Sequence, residues 1–174
     1  VAVVEAIQTI SSRNHHTADD LALSVTQIHT GSAHNVIPDD AWINGTVRTF
    51  DPAVQAMVMR RMEEIVAGQA ASYGVEAVLD YQTGDPATVN DPACASFAAG
   101  VAAEVAGLDM VDGDCPREMG AEDFSYMLEA RPGAYVFIGQ GPGAGLHHPA
   151  YDFNDDLLPN VASVFARIVE AKLS

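Results

Sequence analysis

The stretch from Asp51 to Gly74 constrains the fold most. Asp51 and Pro52 open it, Gly74 closes it, and Val54, Met57, Val58, Met62, Ile65 and Val66 recur between them at helical spacing. An Asp at the cap accepts an orphan backbone N–H, a first-turn proline lacks only an N–H that would have no partner, and a glycine takes the left-handed stop. An amphipathic helix of this kind needs an apolar surface to lie on. The preceding segments offer one. Residues 21–29 alternate, with Leu21, Leu23 and Val25 on one side, and residues 41–50 alternate with Trp42, Asn44, Thr46, Arg48 and Phe50 on one face. Between them GSAHNVIPDD reads as a loop by its Gly, Pro and Asp content. Residues 75–82 (VEAVLDYQ) read as a third strand. Residues 1–12 are ambiguous: Val3, Ile7 and Ile10 suit a helix face, while the β-branched content weakens it. The first half thus reads as helix–strand–strand–helix–strand, a small antiparallel α+β layer, ferredoxin-like without its opening strand.

The turn-rich TGDPATVNDP, residues 83–92, marks a domain boundary, giving domains 1–84 and 85–174. Asp91 and Pro92 open a further helix with Phe97, Val101 and Val105 on one side and Gly107 at its end. Residues 121–130 read as a short helix halted by Pro132-Gly133, and residues 134–138 (AYVFI) as a buried strand. The closing helix carries one stripe of Leu157, Leu158, Val161, Val164, Phe165 and Ile168. Alternating helix and strand in this half suits an α/β layer that needs more sheet than these residues supply. Val1 opens in mid-pattern without a Met, which reads as an internal start.

Composition narrows the function. The 174 residues are 48% apolar, enough for one domain or two small ones with a buried core. No apolar run approaches the roughly 20 residues of a membrane span, and no secretory signal opens the chain. A net charge of −16 offers no basic footprint for phosphates, which excludes nucleic acid as a partner. Cys94 and Cys115 are too few for a disulfide framework and fit a reducing, cytoplasmic compartment, with Cys94 as a small buried hydrophobe.

Four features carry chemistry. Leu146-His147-His148-Pro149 lies in a loop between a strand and a helix, where a neutral imidazole can bind a metal; two adjacent His on a loop also occur as a solvated or capping pair. They point in different directions, so at most one serves as a ligand. The preceding Gly139-Gln140-Gly141-Pro142-Gly143-Ala144-Gly145 lacks dinucleotide spacing, and Pro142 removes an N–H that a phosphate cradle would use. It reads as a loop that lets backbone approach a site. Glu122 and Asp123 stand at a helix start, where acids complement the helix dipole; paired carboxylates also steady metal ligands or act as general acid and base. Arg48, beside Trp42 and Phe50, either clamps a carboxylate bidentately or is an exposed edge-strand arginine. Asn44-Gly45-Thr46 fits a glycosylation acceptor but lies inside a strand.

Four runs in order, Gly31-Ser32-Ala33-His34-Asn35-Val36-Ile37-Pro38-Asp39, Gly45-Thr46-Val47-Arg48-Thr49-Phe50, Met119-Gly120-Ala121-Glu122-Asp123-Phe124 and Leu146-His147-His148-Pro149, resemble the metal-dependent amidohydrolases that include aminoacylase, hippurate hydrolase and auxin-conjugate hydrolases. The resemblance implies that residues 1–84 are a lid or dimerisation domain and residues 85–174 the C-terminal part of an α/β, zinc-peptidase-like catalytic domain. It implies two divalent metals, zinc or manganese, in the intact enzyme; a lone imidazole suits nickel or cobalt as well. His147 takes the place of the family's last metal ligand, and His148 a variable position. Asn35 takes that of an Asn reaching a substrate from the partner's lid, and Arg48 that of an Arg pairing with the substrate carboxylate. Glu122 and Asp123 belong to the site wall. The general base and the other ligands have no counterpart here, so the chain alone is expected to be inactive. The expected reaction is hydrolysis of an N-acyl or N-aroyl amino acid by a homodimer; the alternative is a small-molecule-binding or dimerisation module without catalysis.

Overall fold

The computed structural model describes residues 1–173. They form a mixed α/β architecture in two compact units, Val1–Ala87 and Thr88–Ser174, which part inside the turn-rich stretch 83–92.

In the first unit the ambiguous N-terminal segment is a helix, α1 (Ala2–Thr9), extended by one π-helical turn, Ile10–Asn14. Burial of Ile7 and Ile10 outweighs the weak local preference of β-branched residues for helix. Strands β1 (Leu21–Thr30) and β2 (Ala41–Thr49) pair antiparallel from Leu21↔Thr49 to Thr30↔Ala41. One extra residue, Thr26, bulges between the pairs Val25↔Gly45 and Gln27↔Asn44. Helix α2 (Pro52–Tyr73) follows, with the Asp51 carboxylate accepting from Ala53 N at 2.7 Å. At its far end Gly74 has φ +65°, and Gly74 N and Val75 N donate to Ala71 O and Ala70 O. Those two bonds are the crossed pair of a Schellman stop. The core consists of Ile7, Ile10, Val54, Val58 and Ile65, with Leu21, Leu23 and Val47 packed on it from the hairpin. Full burial of each such aliphatic side chain stabilises by about 1.5–3 kcal/mol. Both helices therefore cover one face of the hairpin. The other carries Trp42, Asn44, Thr46 and Arg48.

The third predicted strand does not form. Residues 75–82 take no regular secondary structure and join no sheet among the described residues, and Val78 is 93% exposed. Alternation makes a segment able to join a sheet; a ladder also needs a neighbour in register, and β1–β2 is the one pairing among the described residues.

In the second unit, α3 (Pro92–Ala106) begins where the Asp91 carboxylate accepts from Cys94 N at 2.9 Å. Helix α4 (Phe124–Ala130) ends before Pro132, and α5 (Leu158–Leu173) packs on α3. The stripe of the closing helix is only partly covered: Leu157, Val161, Val164 and Ile168 are half-buried, whereas Leu158 and Phe165 are exposed. Arg167 bridges to Glu104 at 2.8 Å, and Lys172 Nζ lies 4.7 Å from the centre of the Phe97 ring. The expected buried strand at 134–138 is instead a segment without regular secondary structure, with Phe137 67% exposed. In place of a neighbouring strand, the Asn90 amide grips one residue of it: Tyr135 N donates to Oδ1 at 2.7 Å, and Nδ2 donates to Tyr135 O at 2.8 Å. No helix among the described residues is long and apolar enough to cross a membrane.

Candidate functional site

The residues singled out from the sequence divide between the units: Asn35 and Arg48 in the first, Glu122, Asp123 and His147 in the second. Arg48 stands opposite Ala22 near the base of the hairpin, on the face away from the helices. At the other end of that face the His29 and Trp42 rings stack, centroids 4.2 Å apart and planes 14° from parallel. Asn35 lies exposed in the connection between the strands. From Ala41 to Arg48 the strand advances seven residues, about 23 Å at a rise of ~3.3 Å each. The hairpin thus holds Asn35 and Arg48 at opposite ends.

His147 sits in the loop between the segment at 134–138 and α5. Its φ of +66° makes it the one non-glycine residue with positive φ among the described residues. For a side chain with a Cβ this left-handed geometry costs about 1–2 kcal/mol and persists only where the surroundings impose it. His147 lies within the turn closed by His148 N donating to Gly145 O at 3.2 Å, and a second turn follows directly, with Tyr151 N donating to His148 O at 2.9 Å. The His148 ring is turned inward on its own loop, with Nδ1 accepting from Ala150 N at 3.0 Å. Both residues are exposed. The two residues thus differ in backbone, His147 being left-handed, and in the loop bond that engages the His148 ring.

The loop is tied at both ends to one side chain. Gln140 Oε1 accepts from Tyr151 OH at 3.2 Å and from Asn154 N at 3.3 Å, and Gln140 Nε2 donates to Asp152 O at 3.2 Å. Asn154 Nδ2 returns a bond to Gln140 O at 3.5 Å, and Asn154 Oδ1 accepts from Asp156 N at 3.1 Å, capping the turn Asp155–Leu157 that leads into α5.

Glu122 and Asp123 precede α4, but Asp123 makes no side-chain cap bond there. The helix start is secured instead by Ser125, whose buried hydroxyl donates to Glu122 O at 2.6 Å. The Glu122 carboxylate lies near the Tyr135 hydroxyl. Burial first, and then the adjacent Glu122 and Asp123 charges, push the Tyr135 phenol above its usual range. Phe124 and Phe137 flank that ring at 5.8 and 5.5 Å between centroids. The two carboxylates therefore border an aromatic wall. Sequence reading did not single out Gln140, Tyr135 or Asn90. A glutamine enclosed by two glycines was the available sign for Gln140; nothing in the local pattern marks the other two.

Among the described residues no three His, Cys, Asp or Glu side chains come together as a metal cluster. The donor groups of the described residues therefore do not make up a complete dinuclear centre.

The chain belongs to a known enzyme family, Peptidase family M20/M25/M40, whose profile matches residues 4–171. It is 37% identical over 153 residues to the N-acetyl-L-cysteine deacetylase of Bacillus subtilis (strain 168), covering 88% of this chain and 36% of that protein. It is 32% identical over 173 residues to the IAA-amino acid hydrolase ILR1-like 4 of Arabidopsis thaliana, covering 94% of this chain and 39% of that protein. Its structure is similar to that of a Bacillus subtilis protein described as a dinuclear metal-binding peptidase of the M20 family. The TM-score is 0.74 at 30% identity, covering 97% of this chain and 45% of the other. The chain thus spans less than half the length of these relatives.

Proposed function

We propose that the protein to which this chain belongs hydrolyses the amide bond of N-acyl or N-aroyl amino acids, and that His147 is one of its metal ligands. The observation that carries the reading is the strained backbone at His147, held by its loop at the position that the resemblance assigns to a metal ligand. A bound divalent metal, zinc or manganese, would bring the pKa of a water down to about 7. This chain's own residues would bind and orient. Arg48 would pair its planar guanidinium with the substrate carboxylate. Asn35, far along the hairpin from Arg48, would serve the site of a second copy, which supports a homodimer formed through the first unit. Glu122 and Asp123 would line the wall beside Tyr135.

In this reading residues 1–84 are a ferredoxin-like lid and dimerisation layer, and residues 85–174 the end of the catalytic domain. The two free cysteines, Cys94 and Cys115, fit a cytoplasmic protein. With one ligand of a larger set the chain alone is inactive, and in isolation it would act at most as a binding or dimerisation module.

The test is elemental analysis and N-acyl amino acid hydrolysis on the longer protein. Bound metal and turnover, both reduced in His147→Ala, are expected. A longer protein that binds no zinc or manganese when supplied with either would refute the reading.

A further inference from the structure

We infer that Gln140 is a positioning residue that presents His147, a role resting on the assignment of His147 as a metal ligand. Three observations converge on it. The residue to be presented is in a backbone conformation that a free loop would leave, since an imidazole-bearing residue at φ +66° is disfavoured against its extended alternatives. The loop around it, residues 141–153, is exposed almost throughout and has no apolar anchor: Leu146 is 75% exposed. What closes it is polar and centred on one side chain. The Gln140 amide takes Tyr151 OH and Asn154 N on its oxygen and gives its N–H to Asp152 O, while its backbone carbonyl takes Asn154 Nδ2.

An amide suits this position because it offers acceptor and donor together. The oxygen gathers the two donors beyond His147, and the nitrogen satisfies the carbonyl lying between them. Replacing Gln140 by a side chain with neither function releases the C-terminal arm of the loop. The turns at His148 and Tyr151 then lose the constraint that keeps His147 left-handed. A site whose competent conformation is populated only a tenth of the time binds about tenfold more weakly.

The experiment uses the full 174-residue chain with zinc chloride as the probe. Heteronuclear NMR follows the His147 ring signals during the titration and amide exchange along the loop. Gln140→Ala is expected to weaken the zinc response of His147 about tenfold. It is also expected to speed exchange at Asn154 and Tyr151, while the α3 amide of Val101 keeps its protection. Tyr151→Phe, which deletes one bond and keeps the ring, is expected to weaken zinc about threefold. A wild-type zinc response that Gln140→Ala leaves unchanged, with Val101 still protected, overturns the role of Gln140 alone. Zinc leaving the His147 signals of the wild-type chain unmoved overturns the presenting role, while loss of the ligand assignment itself is read from elemental analysis of His147→Ala in the longer protein.

Discussion

Replacing Gly45 by alanine tests the hairpin most severely. A Cβ built there would lie 2.5 Å from Ser24 O and 3.3 Å from Val25 Cα, both backbone atoms of the paired strand. Close C···O contacts between strands settle at about 3.3–3.6 Å, so the ladder must open by nearly an ångström beside the bulge, and no rotamer change can absorb it. Overpacking of this kind costs about 1–3 kcal/mol, and one lost ladder bond adds about 1 kcal/mol, giving about 2–4 kcal/mol in all. For a unit of this size that corresponds to a fall in Tm of about 10–25 °C. Trp42, the only tryptophan, lies in β2 and reports melting of this unit by fluorescence. Gly68→Ala is the control, since nothing lies within 4 Å of its Cβ position in mid-α2; it should stabilise by about 0.5–1 kcal/mol. A Gly45→Ala melt coincident with wild type, or a Gly68→Ala melt lowered as far, would refute the steric reasoning.

Further expectations rest on single groups. Gly74→Ala forces a Cβ into φ +65° at the Schellman stop and should lower urea stability by about 1 kcal/mol, with Gly74→Asn losing less. Tyr135 should ionise above the ordinary phenol range in an ultraviolet titration, and Glu122→Gln should bring it back toward that range. Because its folded pKa is raised, the unfolded chain releases that proton first. Stability should therefore decline as pH rises above the usual phenol value, less so in Tyr135→Phe. The Asp91 carboxyl is held low chiefly by the Cys94 backbone N–H, so its contribution is present above the unfolded carboxyl pKa and lost as pH falls through the folded one. Urea midpoints between about pH 5 and pH 2 should fall less steeply in Asp91→Asn, which keeps an acceptor at the cap.

Much of this was legible in the residues because the signals are local. Asp51-Pro52 and Gly74 bracket α2 to the residue, and Asp91-Pro92 does the same for the start of α3. Alternation located both strands of the hairpin, and put Trp42, Asn44, Thr46 and Arg48 together on its open face. The failures concern partners distant in the chain. Residues 75–82 and 134–138 have strand composition, but composition does not supply an edge to pair with. Leu158 and Phe165 have the right spacing for a buried stripe, yet α3 covers only its neighbours. In the loop at residues 145–151, nothing in the motif around His147 announced its left-handed backbone. The grip of Asn90 on Tyr135, and of Gln140 on the loop beyond His147, joins residues whose local patterns are unremarkable.

The bulge at Thr26 has a consequence at the level of the gene. Leu21, Leu23 and Val25 point to the helix side at a period of two, but the next residue on that side, Ile28, comes after three, and Thr26 is the spare one. Losing its codon would leave a regular strand in which every remaining side chain keeps its side, His29 still against Trp42. Losing the codon of Ser24, two places earlier, would turn Val25 out to solvent unless the ladder re-registered. This strand therefore has a single place where its length can drift by one codon without inverting the side chains beyond it.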